Sequence, residues 1–265
     1  MCNLAYNLYP GLAGVDGPSV YPEYLTDYQI ARCPSDSNGN TVLSPDLPEF
    51  ETAAAEIAAG LTNGTVLPAC MQLHVSMPRS YFYMGFATET PAQGLAAAQG
   101  WFNQAIVNIS WLANVRALGL DCPYGTTVNF LTRDSDLDID SLVGAGATEA
   151  DGSPVPATLY RLREGIERFV ISDINNPAAS AKAQSEMPIL WDAWGNTQNM
   201  YGATPADSSA GVVIFNHVPG GSNVLYMDGH VRFLKLKEEY PCADDPEGTY
   251  GEDFSGFCAA GAGYG

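Results

Sequence analysis

The sequence predicts an α+β domain, with helices packed on one face of an antiparallel sheet. Three observations point there. Short helical runs alternate irregularly with aromatic and β-branched strand runs, without the regular βαβ order of a parallel sheet. Gly at 27 and Pro at 18 in 265 residues imply many turns and short elements. Near the C-terminal end, two apolar runs, Asn223 to Met227 and His230 to Leu236, are separated only by Asp228-Gly229. Asp-Gly is the favoured two-residue hairpin turn, because both central positions of a type I′ turn need φ > 0.

The elements follow in order. Residues 1–48 are rich in Tyr and Pro and show little periodicity. Phe50 to Leu61 reads as an Ala-rich helix ended by Asn63-Gly64. Ser80 to Ala87 is an aromatic strand, bounded by Pro78 and by Thr88-Glu89-Thr90. A mostly buried helix is expected over about 92–117. It carries too many amide side chains to span a membrane. Thr126 to Leu131 reads as a strand and Gly144 to Pro156 as a loop. Leu159 to Arg168 reads as a helix, and Asn176-Pro177 opens a short Ala-rich one. Pro188 to Asp192 and Gly211 to Asn216 are short strands. The hairpin comes next, and 238–265 forms an acidic, Gly-rich tail. No GxGxxG, P-loop or fixed-period repeat is present.

Charge bounds the function. The chain has 30 Asp+Glu against 11 Lys+Arg, a formal net charge of −19. That excludes a nucleic-acid binder working by phosphate neutralisation, and it argues against docking on anionic lipid. A hydrophobic fraction of 46% supplies a core. The acids are clustered: Asp134–Asp140 and Glu238–Asp253 hold 11 of them and no base.

Six cysteines occur, Cys2, Cys33, Cys70, Cys122, Cys242 and Cys258, with no CxxC pair. One reading is two or three disulfides in an oxidising compartment; the other is reduced, buried thiols in a cytosolic protein. The first is preferred, with Cys242–Cys258 as the local pair, and the remaining connectivity is open. Met1-Cys2-Asn3 carries no basic or apolar leader. An exported chain would then be a mature or truncated form whose targeting segment lies upstream.

Catalytic signals are weak. The histidines are His74, His217 and His230. A His217/Asp228/His230 metal site competes with a turn in which Asp228 bonds its own backbone, and the turn is preferred. No GxSxG elbow or sharply placed nucleophile is present, so no enzyme activity is expected. Asp134, Asp136, Asp138 and Asp140 alternate with Ser135, Leu137, Ile139 and Ser141. In an extended strand the four carboxylates share one face. They form a candidate Ca²⁺ site, as does the acidic loop Asp244 to Asp253, because hard cations take oxygen ligands. The EF-hand pattern fails at Ile139 and Ala145. A solvated acidic strand edge is the alternative.

The run from Phe215 to Phe233, FNHVPGGSNVLYMDGHVRF, resembles the C-terminal signature of the prepilin-type H-X9-DG family, akin to type IV pilins and type II secretion pseudopilins. Three further stretches resemble the family in the same order: Val20 to Leu25 with Cys33-Pro34-Ser35-Asp36, Ser80 to Gly85, and Leu159 to Asp192. Together they cover about a third of the chain. Ten residues rather than nine separate His217 from Asp228. The family's leader and membrane-anchoring apolar helix are not in this sequence.

The resemblance implies a single pilin-like globular domain over 1–265, with insertions at about 37–79 and 88–157. It implies a structural subunit of a periplasmic or cell-surface filament, such as that of a type II secretion system. Its partners would be other pilin-like subunits, and any membrane contact would run through the N-terminal helix. His217, Gly220, Gly221, Asp228 and Gly229 then serve as a structural motif, and Ca²⁺ is the cofactor to expect. The alternative function is a calcium-dependent extracellular adhesion or glycan-binding module on a pilin-like fold. An enzyme would instead need a deep pocket joining His217 or His230 to a carboxylate.

Overall fold

The computed structural model describes residues 14–36, 50–66, 68–76, 80–107, 135–163, 166, 184–196, 213–217, 220–236, 238–243, 254 and 258. Helices and an antiparallel sheet make a mixed α+β fold. No helix among the described residues is long and apolar enough to cross a membrane.

The N-terminal part is helical. A short helix α1 (Gly17–Val20) and a 3-10 turn (Tyr28–Ala31) precede α2 (Phe50–Thr62) and α3 (Ala69–Ser76). Phe50, Ala53, Ala54, Ile57 and Gly60 are buried, the spacing of one helical face. The helix ends where the sequence predicts. Gly64 takes φ +68°, Gly64 N–H donates to Leu61 O at 3.2 Å and Thr65 N–H to Gly60 O at 2.9 Å. This is a Schellman closure, which needs a left-handed residue at that position. Ile57, Cys70 and Met71 form a satellite core with Tyr21 and Tyr28.

The main sheet has the order β1 (Tyr81–Tyr83), β4 (Pro188–Asp192), β7 (Gly221–Tyr226), β8 (Val231–Lys235), all antiparallel. Phe82 stands opposite Trp191 and Trp191 opposite Val224, so these three share a face. That inner face is buried, with the Phe82 and Trp191 rings stacked at 5.0 Å. It joins one core with Ala92, Ala96 and Ala97 of α4 (Pro91–Val107) and with Tyr240, Cys242, Phe254 and Cys258. Pro91 starts α4, and the Thr90 hydroxyl accepts the Gln93 N–H at 3.2 Å, a conventional N-cap. Alternate residues face outward: Tyr81, Tyr83, Leu190, Asp192, Asn223, Leu225, Val231 and Phe233. Two further small ladders occur among the described residues, β2 (Leu137–Asp138) with β3 (Thr158–Leu159) and β5 (Trp194–Asn196) with β6 (Val213–Phe215).

Several expectations need correction. The helix expected over Leu159 to Arg168 is absent from its described part. Leu159 is in β3, Arg161 bridges Phe86, and Leu162 N–H donates to Gly85 O at 2.9 Å. Pairing with a distant strand overrode local helical preference. The hairpin exists, but its loop is longer than the expected two-residue turn. Tyr226 N–H donates to His230 O and Gly229 N–H to Tyr226 O, both at 2.9 Å, so three residues make the loop. Gly229 at φ +89° supplies the left-handed position of that form. The helix expected over 92–117 runs over Pro91–Val107. Its expected continuation, the strand at 126–131 and the helix opened by Asn176-Pro177 lie outside the described residues, apart from a helical turn at 184–186. Cys33, Cys242 and Cys258 are buried thiols, so the Cys242–Cys258 disulfide is not formed. Among the described cysteines Cys70 is the disulfide-bonded one. Cys2 and Cys122 lie outside the described residues.

Candidate functional site

Asp192 is the last residue of β4 and stands next to Asn223 of β7 on the outer face. A carboxylate in so apolar a strand requires partners. It is 3% exposed and has three. Asn223 donates its N–H at 2.8 Å and its Nδ2 at 2.7 Å to Asp192 Oδ2. His217 Nε2 lies 2.9 Å from the same oxygen. The Ser222 hydroxyl donates to the Asp192 carbonyl at 2.7 Å, fixing the backbone. The bend that aims His217 is local: Gly220 N–H donates to His217 O at 2.9 Å, and His217 bridges Gly221. A side chain at Gly221 would strike Leu234 O at 2.4 Å and Phe233 Cζ at 2.4 Å. Gly221 is therefore required by close packing.

Cys33 arrives from the N-terminal segment, 184 residues earlier, and places Sγ 3.5 Å from His217 Nε2. Neighbouring bonds hold that segment down. Ser80 donates its hydroxyl to buried Asp36 at 2.7 Å, and Arg32 donates to the Asp36 carbonyl at 3.0 Å. Burial pushes the Cys33 thiol pKa up and nearby Asp192 adds to it, while donors at Ser35 and Asp36 pull it down. Burial, then Cys33 and Asp192, push the Tyr81 hydroxyl up to about 12. Beside the Asp192 carboxyl group, both shifts favour the protonated thiol of Cys33 and the protonated phenol of Tyr81.

Cys33, Asp192 and His217 put one ligand atom each within 4.8 Å of the others, and among the described residues they are the sole such group. Cys33 and Asp192 both approach the same imidazole nitrogen, Nε2 of His217. A nucleophile–base–orienter relay needs the acid on the opposite ring nitrogen. This arrangement is a convergence of donors on one point.

The sequence-predicted sites are placed differently. Asp228 and His230 pair with each other, Oδ1 to Nδ1 at 2.6 Å, and Asp228 also accepts the His230 N–H at 3.0 Å. That is the backbone-bonded turn, and His217 belongs elsewhere. The acidic run does not make one extended face, because β2 covers only Leu137–Asp138 and the chain turns helical at Ile139. Asp138 Oδ1 accepts the Ser141 N–H at 3.2 Å. Asp136 accepts the Arg161 N–H at 2.9 Å and pairs with Arg163 at 3.4 Å. Asp136, Asp138 and Asp140 form no metal-capable group of three among the described residues. Asp134 and the loop 244–253 lie outside them. Sequence reasoning named Cys33 only as a disulfide candidate and did not single out Asp192. The available signal was an acid closing the apolar run PILWD.

Beside the cluster, the outer face of the sheet forms the floor of an apolar groove of about 520 Å3. Tyr83, Leu190, Leu225 and Val231 line the floor, and Tyr24 and Ile30 the opposite wall. Tyr24, Ile30, Val231 and Phe233 are large apolar side chains left exposed. No family model, characterised protein or solved structure matches the chain.

Proposed function

We propose that the chain is the globular part of a pilin-like filament subunit, structural rather than catalytic, working in the periplasm or at the cell surface. One observation carries the reading. The four stretches that resemble the H-X9-DG family meet around a single cluster. Cys33 comes from the first, Tyr81 from the second, Asp192 from the third and His217 from the fourth. Residues scattered along the sequence thus act as one structural motif that ties the N-terminal segment to the C-terminal hairpin. The exposed apolar groove supports the same reading, because contiguous apolar surface of this kind marks an interaction site. Other subunits of the filament are its proposed occupants.

The experiment is immunogold electron microscopy of sheared surface and periplasmic fractions from the source cell. The protein should label filaments. A Val231→Asp/Ile30→Asp variant should keep the wild-type circular dichroism and melting temperature, because both side chains are exposed, yet drop out of the filament fraction. Wild-type protein recovered only as an unassembled monomer sinks the reading.

A further inference from the structure

We propose that Cys33, Asp192 and His217 bind a zinc-class divalent ion. Three groups that are acceptors when deprotonated, a thiolate, a carboxylate and an imidazole nitrogen, crowd one point. Sγ lies 3.5 Å and Oδ2 2.9 Å from Nε2. A proton on Nε2 satisfies the Asp192 contact and leaves the sulfur to the Tyr81 and Ser35 side chains. A cation at the centre satisfies all three at once.

The dimensions fit. With Zn–S about 2.3 Å and Zn–N or Zn–O about 2.0–2.1 Å, a tetrahedral centre has an S···N edge of about 3.5 Å and an N···O edge of about 3.3 Å. The first matches the Cys33–His217 distance, and the second requires the Asp192–His217 contact to open by about 0.4 Å. The donor set selects the metal. Thiolate and imidazole favour zinc and its neighbours over calcium or magnesium, which take oxygen ligands.

The surroundings are those of a built site. Asn223 Nδ2 and N–H donate to the Asp192 oxygen and orient it as an outer shell does. Asn223 Nδ2 also lies 3.1 Å from His217 Nε2, so this amide must shift slightly as the ion enters. The His217 side chain is 25% exposed, which gives an entry path. Three protein ligands leave one tetrahedral position for water. The ion would clip the segment 14–36 to the strands at the other end of the chain, closing a long loop.

The test is titration of the EDTA-stripped, reduced protein with Co²⁺ and Zn²⁺. Co²⁺ should bind at one equivalent and give a thiolate-to-cobalt charge-transfer band in the near ultraviolet, which Zn²⁺ bleaches by displacement. Zn²⁺ at about a hundredfold its dissociation constant should raise the melting temperature by on the order of 5 °C. Cys33→Ser should lose the band, and His217→Gln should weaken binding at least about tenfold. A wild-type titration with no band, or a band that survives in Cys33→Ser, overturns the proposal. The wild-type arm does not depend on any variant folding.

Discussion

Asp192 and His217 meet at 2.9 Å, Oδ2 to Nε2, where the end of β4 faces the approach to β7. The contact is one of three that compensate a carboxylate buried at 3% exposure. Removing one partner of a buried polar set costs more than the set contributes net, because the remaining groups stay desolvated. Asp192→Asn replaces an acceptor by an amide that must face donors from Asn223 and His217. The expected loss is about 2–3 kcal/mol, read as a lower urea midpoint with EDTA present. An unchanged midpoint would mean that water already satisfies these groups.

Two glycines of α4 should respond oppositely to alanine. A Cβ on Gly94 would sit 2.6 Å from Phe254 Cε2 and 2.9 Å from the Tyr240 hydroxyl, both on buried rings. On Gly100 the nearest atom is the Ile139 Cδ1 end at 3.3 Å. Alanine gains about 1 kcal/mol of helix propensity at either position. At Gly94 overpacking of about 1–3 kcal/mol outweighs it, so Gly94→Ala should destabilise. Gly100→Ala should be neutral or stabilising. Thermal unfolding of both checks the order, and equal effects contradict it.

The sequence made the local elements readable and left the site obscure, for one reason. α2 with its Asn63-Gly64 stop, the aromatic β1, the buried β4 and the final hairpin are encoded by neighbours within a few residues. The stretch at 159–162 is not. It opens the run LYRLREGIER, which suits a helix, yet Ala87 N–H donates to Tyr160 O at 2.8 Å and Arg161 N–H to Asp136 at 2.9 Å. Those partners lie far away in sequence. Cys33, Asp192 and His217 are likewise joined only by tertiary packing, so no spacing rule could assemble them. The Cys242–Cys258 pairing fails for a related reason, while Cys70 is disulfide-bonded: count and spacing cannot distinguish a staple from thiols that fill a core.

Cys33, Cys242 and Cys258 are each at most 2% exposed. Burial, with Asp192 and Glu238 nearby, pushes the Cys242 thiol up to about 12, against one bond from Ser222. The thiolate is the reactive form. At pH 8 the folded protein should therefore leave these three unmodified by iodoacetamide over an hour. All three should alkylate promptly in guanidinium, as located by peptide mass spectrometry. Rapid native labelling of Cys242 would contradict its burial.

The alkaline limit of stability should depend on Tyr240. Its ring packs against Trp191 and Phe254, and its hydroxyl shares a 2.7 Å bond with Thr88. Burial pushes its ionisation far above the ordinary value, more than the Thr88 bond lowers it. The folded chain thus keeps the proton where an unfolded tyrosine releases it, near pH 10. The unfolded state then binds fewer protons, so stability falls as pH rises above about 10. Below that value both states hold the proton and the contribution is complete. Tyr240→Phe should lose about 1–2 kcal/mol at pH 7, because the Thr88 hydroxyl is left buried without its partner. Its stability should then decline less steeply than wild type between pH 9.5 and about 11. Urea midpoints across that range measure the difference, and parallel curves for the two proteins would assign the alkaline fall to other groups.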